Sequence, residues 1–438
     1  MIESSHKFAS HRLVVVGSAI AALLTAVLIW LTFTVLKPTP PRVVFMATDP
    51  QESFSAQIAV RYREILAKDG IELKLVPTAG SVQSLARLQE PESDISIAIL
   101  PAGLSNPQNP GDLVSLGTLF YTPLWVFSHG RTRESHEAFR GLRISIGPEG
   151  SGTRALSLEF LARVGIVDQK SATLLPLAPR DAAEKLIKGD IDELVILDAW
   201  ESPVVRELLT AENVGLESVR RADAFVALYP YLNKLLLPTG VADMVENKPP
   251  RDVLLLAPMA SLVVRRNLHP AIQYLLLDAA AQIHSEPGLW HPANRFPAAE
   301  AVDFPLSSEA VHYYKSGSPF LQRNLPFWLA VFVQQLLVVL IPVLGVVYPL
   351  IRLAPVVFTW VMRRRVYKLY DELRELEAEI GSETPDGQDR EILLLRLDRL
   401  EERVTRFRIP MSFDPLIYQL RSHISLVREK LRRVPVLV

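Results

Sequence analysis

A short apolar segment runs into a glycine-rich turn in the stretch Leu142-Arg-Ile-Ser-Ile-Gly-Pro-Glu-Gly-Ser-Gly-Thr153. Residues 142–146 are β-compatible, and the pattern after Gly152 is that of a helix running to about Val164. A strand that enters a helix through a tight turn is the repeating unit of α/β proteins, in which helices cover a largely parallel sheet. The stretch therefore predicts an α/β fold.

The turn itself predicts a site for an anion. A glycine-rich turn at a helix N-terminus presents unpaired backbone N–H groups and the positive end of the helix dipole. Gly147 and Gly152 have the spacing of a P-loop, but Thr153 stands where the phosphate-binding lysine belongs. A carboxylate-binding turn fits these residues better than a nucleotide site. The alternative, a capped turn that only joins strand to helix, stays open.

A second turn of this kind is Thr78-Ala-Gly-Ser-Val82, between a predicted strand at 71–76 and a predicted helix at 81–88. Ser81 is the predicted N-cap, with a hydroxyl that accepts from an early helix N–H. An N-cap role by itself would make Ser81 a structural residue with no part in ligand binding. Two such turns in two α/β lobes would, however, face each other across a cleft and bind opposite ends of a small anionic molecule.

The surrounding segments extend the same pattern in both directions. Predicted elements of the first lobe are a strand at 43–47, a helix at 55–68 and a strand at 94–100. A predicted strand at 124–128 leads to the second lobe, whose predicted elements include a helix at 180–188, a strand at 194–197 and a helix at 202–209. The apolar run 253–264 would return the chain to the first lobe. Parallel strands of such units bind ligands at their carboxyl ends, so the chain is predicted to form a two-lobed clamp.

Residues from about Val43 to Ser318 resemble the TAXI family of solute-binding proteins, the extracytoplasmic receptors of one class of TRAP transporters. The matching pieces are Ala47-Thr48, Thr78-Ala-Gly-Ser-Val82, Pro123, Gly147-Pro-Glu-Gly-Ser-Gly-Thr153, Asp198-Ala199 with Pro203, and His312-Tyr-Tyr314. The resemblance implies a periplasmic-binding-protein-like clamp of type II that closes on a small carboxylate, such as an amino acid or a dicarboxylate. It implies delivery to a sodium- or proton-driven TRAP permease, and no enzymatic activity, cofactor or metal.

The same resemblance implies a set of ligand-binding residues. These are Ser53, Phe54, Thr78, Gly80, Ser81, Tyr121, Thr122, Ser151, Gly152, Thr153 and Trp200. The chain departs from the family at the first ligand loop, where relatives show a Gly-Gly-Thr-Tyr-Tyr type sequence and this chain has Asp49-Pro-Gln-Glu-Ser-Phe-Ser55. The loop has no glycine to let its backbone approach a ligand closely. Asp49 and Glu52 also bring negative charge to it. Phe120-Tyr-Thr-Pro123 likewise replaces a typical Tyr-Pro-Glu-Pro.

Two long apolar stretches, 13–36 and 325–350, enclose the lobes, and each is long enough for a transmembrane helix. A cleaved signal peptide is the alternative for the first, although no clear small-x-small cleavage site follows it. A buried core helix is the alternative for the second. The expected domains are a cytoplasmic N-terminus (1–12), a first span (13–36), a solute-binding domain (41–323), a second span (325–350) and a cytoplasmic helical domain (363–438). Within the solute-binding domain, lobe 1 covers about 41–126 and 259–323, and lobe 2 about 127–258.

Flanking charges predict the orientation, because short segments rich in lysine and arginine stay cytoplasmic. The first span gives a tie, with Lys7 and Arg12 before it and Lys37 and Arg42 after it. The second span has Arg323 on one side and a cluster of five cations on the other: Arg352, Arg363, Arg364, Arg365 and Lys368. Both termini are therefore predicted in the cytoplasm of a bacterium, with the main domain periplasmic and anchored to the inner membrane.

The residues after the second span carry a helical repeat. Apolar residues recur with alternating spacings of three and four, which is a heptad seam. They are Val366, Leu369, Leu373, Leu376 and Ile380, then Leu393, Leu397, Leu400, Val404 and Phe407, then Leu420, Ile424, Val427 and Leu431. Residues 381–388 interrupt the repeat and predict an antiparallel hairpin. The seam would serve either self-association or a protein partner, or only the packing of the three helices on each other.

Other function classes find little support in the composition. The net charge is −1, which argues against nucleic acid, and the chain has no cysteine, which removes thiolate metal sites and cysteine nucleophiles. Neither a zincin histidine pair nor a Gly-x-Ser-x-Gly nucleophile elbow is present. Two functions remain open: a membrane-anchored receptor that feeds a transporter, and a ligand sensor or envelope scaffold that acts through the second span and the helical tail.

Overall fold

The structure is a computed structural model that describes residues 26, 27, 30, 39–105, 111–130, 141–163, 172–382, 387–406 and 414–433. The chain divides into an α/β unit, Lys37–Gln334, and a second unit that includes Gln335–Val438. The predicted first span, 13–36, lies outside the described residues except for residues 26, 27 and 30.

Lobe 1 of the α/β unit begins with three parallel strands. These strands are β1 (Val43–Thr48), β2 (Glu72–Pro77) and β3 (Ile95–Pro101), and they are connected by helices α1 (Phe54–Lys68) and α2 (Ser81–Gln89). β1 lies between the other two strands and pairs with both in parallel. This confirms the predicted run of alternating strands and helices.

Lobe 2 repeats the layout with shorter strands. Its strands are β5 (Leu124–His129), β6 (Arg143–Ser145), β7 (Thr173–Leu175), β8 (Glu193–Leu197), β9 (Val214–Leu216) and β10 (Leu232–Leu237). Its helices are α3 (Gly152–Arg163), α4 (Pro179–Lys188), α5 (Pro203–Thr210) and α6 (Ala222–Leu228). β6 pairs in parallel with β7 and β8, whereas β5 pairs antiparallel with β8 and β9. The predicted strand, turn and helix around Gly152 are therefore present.

One long strand belongs to both lobes. β11 (Val253–Arg265) pairs antiparallel with β10 and β5 through its first half, and with β3 and β4 (Leu113–Tyr121) through its second half. The chain crosses a second time at Thr122 and Pro123, where the Thr122 N–H donates to the carbonyl of Pro258 at 2.9 Å. The lobes are thus joined by two adjacent extended crossings, which is the connection of a hinged clamp.

Helices from the end of the α/β unit complete the core of lobe 1. They are α7 (Pro270–His284), α8 (Ser308–Ser316) and the start of α10 (Phe327–Ser382), whereas the short helix α9 (Phe320–Asn324) has no buried residue. Phe327 and Val331 of α10 are buried in the same apolar cluster as Tyr62 and Ile272. The Trp328 indole N–H donates to the carbonyl of Asp69 at 2.8 Å. The first turns of α10 therefore belong to the folded core of lobe 1.

The early part of α10 is strongly apolar. Residues Phe327–Gly345 have a mean hydropathy of 2.4 and, in the part of the chain that the structure describes, form the one helix long and apolar enough to cross a membrane. Of this segment 19% is buried, and side chains such as Phe332 and Ile341 are more than half exposed. This exposure disagrees with the alternative of a core helix, whose side chains would be enclosed by protein.

The second unit contains a small helical core. The end of α10 is joined there by α11 (Gly387–Arg406) and α12 (Asp414–Arg433). The predicted seam residues from Leu369 to Leu431 that the structure describes are buried in one cluster, and Val366 is buried outside it. The seam residue Phe407 lies outside the described residues. Because the three helices bury the seam against each other, its pattern is explained without a partner.

Candidate functional site

A cleft with a volume of about 390 Å³ lies between the two lobes of the α/β unit. Residues directly after β1 and β8 and the glycine-rich turn after β6 contribute to its lining, together with the start of α2. These positions are the carboxyl ends of parallel strands, where α/β sheets bind ligands. The topology therefore places one cleft where the sequence predicts it.

The turn from Gly147 to Thr153 is built to begin α3. Gly147 and Gly150 have φ angles of 85° and 82°, a region that favours glycine. The Ser151 hydroxyl donates to the carbonyl of Pro148 at 2.7 Å and accepts from the Arg154 N–H at 3.2 Å, so it caps the helix. The N–H groups of Gly152 and Thr153 precede the first intrahelical hydrogen bond, which makes them available donors.

The turn from Thr78 to Ser81 uses its residues differently. Gly80, with a φ angle of 145°, is the N-cap residue of α2, and no side chain caps this helix. The prediction that Ser81 is the N-cap is therefore wrong. The Ser81 hydroxyl donates instead to the Asp49 carboxylate at 3.3 Å. Because Gly80 holds the N-cap position, Ser81 is the first residue of the helix, and its hydroxyl is not placed to accept from the early helix N–H groups.

The two turns face each other, as the sequence predicts, and they are in contact. A Cβ atom added to Gly80 would lie 2.6 Å from the Cα of Ser151. The Gln83 N–H donates to the carbonyl of Gly150 at 3.1 Å. The structure thus shows the clamp with its lobes closed on each other at this point.

Two carboxylates, Asp49 after β1 and Asp198 after β8, also line the cleft. Asp198 of lobe 2 accepts from the Phe54 N–H of lobe 1 at 3.3 Å and from the Ala199 N–H at 2.8 Å. Asp49 accepts from the Ser55 hydroxyl at 2.8 Å. Burial raises the pKa of Asp198 to about 7, although the hydrogen bonds from Ala199 and Phe54 lower it, and the charge of Asp49 adds to the rise. Burial likewise raises the pKa of Asp49.

The lining of the cleft is acidic overall. Its charged side chains are Asp49, Glu52, Arg180, Asp181 and Asp198. The Arg180 guanidinium donates to Glu207 at 2.7 Å, so its charge is already paired. Among the residues that the structure describes, no group of three or more His, Asp or Glu side chains is placed to hold a metal ion.

Seven of the predicted ligand-binding residues line the cleft. They are Ser53, Gly80, Ser81, Thr122, Ser151, Gly152 and Thr153. Thr153 also fixes the neighbouring strand, because its hydroxyl accepts from the Leu197 N–H at 3.2 Å.

The other four predicted residues, Phe54, Thr78, Tyr121 and Trp200, are not part of the lining. The Thr78 hydroxyl lies behind its turn, 2.8 Å from the Ser84 hydroxyl. Tyr121 packs against Phe296, because successive strand residues point to opposite faces and its neighbour Phe120 lines the cleft.

Trp200 and Phe54 lie outside the lining of the cleft for two different reasons. Trp200 stacks in a cluster with Trp125 and Trp290, and the Arg206 guanidinium lies 4.4 Å from its ring centre. The Phe54 ring packs edge-on against Phe120, with ring centres 5.0 Å apart, so Phe54 reaches the site through its backbone N–H alone.

Sequence reasoning missed Asp198 as a site residue and treated Asp49 only as an unfavourable charge. The available signal was their position, since each is the first or second residue after a parallel strand. The sequence pattern gave no indication that Asp198 accepts a hydrogen bond from the Phe54 N–H, which lies 144 residues earlier in the chain.

Residues 54–316 match the model of the NMT1-like family. The chain belongs to the NMT1-like family. The matched range covers both lobes of the α/β unit, whose two-lobed topology is that of a periplasmic-type solute-binding protein. The match does not specify the TAXI family, so that finer assignment stays a prediction. No curated protein matches the chain.

Two solved structures that resemble this NMT1-like chain are named as binding proteins, and both have low sequence identity to it. The alkanesulfonate-binding protein SsuA from Xanthomonas axonopodis pv. citri, bound to MOPS, is 15% identical with a TM-score of 0.34, over 56% of this chain and 73% of that chain. A nutrient-binding protein from Burkholderia cenocepacia, bound to methionine, is 14% identical with a TM-score of 0.32, over 63% of this chain and 96% of that chain.

A ligand-binding core from Nostoc punctiforme in complex with L-glutamate is 14% identical with a TM-score of 0.35, over 56% of this chain and 92% of that chain. Superpositions this loose carry no information about the ligand. The chemistry of the NMT1-like cleft therefore has to be derived from its own residues.

Proposed function

We propose that the chain is a membrane-anchored extracytoplasmic solute-binding protein that captures a small carboxylate-containing solute and passes it to a TRAP-type permease. The observation that carries this proposal is the cleft of about 390 Å³ between two lobes that are linked by two crossings. That volume suits a small molecule. The N–H groups of Gly152 and Thr153 supply donors for its carboxylate.

Membrane anchoring is supported by α10. Its segment Phe327–Gly345 has the length and hydropathy of a span, and the basic cluster 363–365 follows it on the predicted cytoplasmic side. The first turns of the same helix are part of the core of lobe 1. We infer that the α/β unit is held at the periplasmic face of the inner membrane, with both termini in the cytoplasm.

The absence of cysteine from the sequence allows a direct test of this orientation. Single substitutions Ser308→Cys and Ser425→Cys place thiols at exposed positions in the α/β unit and in the helical tail. A membrane-impermeant maleimide added to spheroplasts should label S308C, and should label S425C only after the membrane is permeabilised. Labelling of both thiols on intact spheroplasts would contradict the proposed topology.

Solute binding is tested with the full chain in detergent or nanodiscs. A truncation at Arg323 would remove Phe327 and Val331 from the core, so the isolated α/β segment is a poor substitute. Thermal-shift and calorimetric screening should use a panel of carboxylates, sulfonates, amino acids and amines. We expect at least one hit that carries an acidic group, and no hit from the panel would count against the proposal.

A matched pair of glycine variants locates the binding site. A Cβ atom at Gly152 would lie 3.4 Å from the Ser81 hydroxyl and would narrow the cleft, whereas one at Gly345 would have no atom within 4 Å. Gly152→Ala should weaken binding of the hit about 10-fold, the effect of a misplaced group in a tight pocket. Gly345→Ala should leave the affinity unchanged.

The location of the gene gives a separate test of TRAP coupling. A TRAP permease encoded beside this chain would support delivery to a transporter. Envelope-maintenance genes in its place would favour the second function below.

A second function, ligand sensing across the membrane, is favoured by one specific observation. α10 contributes Phe327 and Val331 to the core of lobe 1, and Leu369 and Leu373 to the core of the tail. A protein that only delivers a solute has no evident use for such a helix. Hydrogen exchange of residues 387–433 in the full chain, with and without the solute found by screening, tests this function. Solute-dependent protection there would support sensing, and unchanged exchange would leave delivery as the function.

A further inference from the structure

The charges in the cleft do not match a solute that is only an anion. Four of the charged side chains in its lining are acidic, and the one arginine is paired with Glu207. In the described part of the chain, the Asp49 and Asp198 end of the cleft offers no positive charge to hold a carboxylate, and a solute anion there would favour the protonated form of both groups.

Asp198 also fills the position where lobe 1 would otherwise hold an anion. The first N–H groups of a helix attract negative groups, and the Phe54 N–H at the start of α1 already donates to both oxygens of Asp198, at 3.3 and 3.4 Å. That carboxylate comes from lobe 2. A solute carboxylate bound at the start of α1 would have to displace Asp198. Of the two helix N-termini, α1 and α3, only that of α3 therefore has N–H groups available for an anion.

Asp49 and Asp198 line the cleft and accept hydrogen bonds from neutral groups of the protein. A carboxylate has about four lone-pair sites. Asp49 uses them on the Ser55 and Ser81 hydroxyls, and Asp198 uses them on the Ser202 side chain and on the Ala199 and Phe54 N–H groups. None of these donors is a cation. Burial raises the pKa of both groups, and no cation among the described residues counters this shift.

We infer that the solute of this cleft carries a protonated amine, which Asp49 and Asp198 hold while the acidic group of the solute meets the turn at Gly152 and Thr153. The inference rests on the proposed function and narrows the solute to a zwitterion of the amino-acid type. An ammonium group offers three donors and one positive charge, which offsets part of the negative charge of the two carboxylates at the lobe boundary. Because one carboxylate comes from each lobe, the amine also ties the lobes together.

Matched solutes test the amine without any mutation. Calorimetry with the full chain compares L-glutamate with glutarate, 4-aminobutyrate with butyrate, and taurine with ethanesulfonate, beside the rest of the screening panel. The amine-bearing member of a binding pair should bind about 10- to 100-fold more tightly than its deaminated analogue, the range for a charged hydrogen bond. Equal affinity within a pair, or hits confined to compounds without an amine, would overturn the inference.

Isosteric variants then assign the amine to the two carboxylates. Asp49→Asn and Asp198→Asn should each weaken binding of the amine-bearing hit about 10-fold or more, and should reduce the preference over its deaminated analogue. Glu64→Gln removes an exposed charge from α1 outside the lining of the cleft and serves as the control, with a change of about 2-fold or less. An equal loss in all three variants would show a general charge effect and contradict a specific amine site.

The outcomes separate this inference from the proposed function. Absence of any hit in the whole panel contradicts solute binding itself. Binding of a deaminated acid that is abolished by Gly152→Ala and unaffected by Asp198→Asn supports the proposed function and contradicts the amine.

Discussion

The two glycine-rich turns of the cleft have similar sequences and different internal bonding. In lobe 2, the Ser151 hydroxyl caps α3. In lobe 1, the Ser81 hydroxyl donates to Asp49. The N-cap residue of α2 is Gly80, which has no side chain that could cap the helix. The difference teaches that glycine and serine specify the shape of such a turn, whereas the neighbouring groups decide what its hydroxyl binds.

The largest expected difference between the two turns is the loss of stability when a glycine in each turn is replaced by alanine. Gly80→Ala would place a Cβ atom 2.6 Å from the backbone Cα of Ser151, at a φ of 145° that only glycine adopts readily. Gly150→Ala at a φ of 82° would meet only side-chain atoms, at 3.4 Å or more. We expect Gly80→Ala to lower the free energy of unfolding of the α/β unit by roughly 3 kcal/mol, and Gly150→Ala by roughly 1 kcal/mol.

Urea unfolding followed by tryptophan fluorescence measures both glycine variants. Solute affinity provides a second readout, because Gly80→Ala also separates the lobes at their contact. Equal effects of the two variants would show that the lobes do not meet at Gly80 in solution.

The Asp198 carboxylate should make the stability of the closed clamp depend on pH. Its pKa is raised from 3.8 to about 7 by burial, so between about pH 4 and pH 7 the folded protein holds a proton that the unfolded chain has released. Stability from this group is therefore greatest at low pH and is lost as the pH rises toward 7. In Asp198→Asn this loss should shrink by at least about 1 kcal/mol.

The measurement is the free energy of unfolding of both proteins at pH 5 and pH 8. His284 serves as an internal reference: burial lowers its pKa to about 3, which gives the opposite slope below pH 6.5, and it is identical in both proteins. If Asp198→Asn shows the same pH dependence as the original chain, Asp198 is not protonated in the closed clamp.

The elements that could be predicted are those whose pattern is local. The strands and helices around Gly152 and Ser81 follow from apolar runs and glycine turns, and the structure has them. β4 escaped prediction because it is buried on both faces and contains Gly117, whose absent side chain leaves room for the Tyr314 hydroxyl. α7 is buried around most of its circumference, so it lacks the one-sided stripe by which helices are recognised.

The sequence predicted the two glycine-rich turns of the candidate site, but it did not predict the contacts of the charged side chains. Which side chain of a strand faces the cleft depends on register, and this separates Phe120 from Tyr121. The bond from the Phe54 N–H to Asp198 joins the two lobes and exists only once they close. Contacts of that kind have no local sequence signal, because their partners are brought together by the tertiary fold.

The smallest expected difference concerns the two serines themselves. Ser151→Ala removes a helix cap and should cost about 1 kcal/mol of stability. Ser81→Ala removes a bond of 3.3 Å to Asp49 and leaves the start of α2 unchanged, so it should cost less than about 0.5 kcal/mol. Ser81→Ala should instead raise the pKa of Asp49 further, because the Ser81 hydroxyl lowers it. Urea unfolding and a carboxyl NMR titration would check these outcomes, and a larger stability loss for Ser81→Ala would mean that Ser81 caps α2 after all.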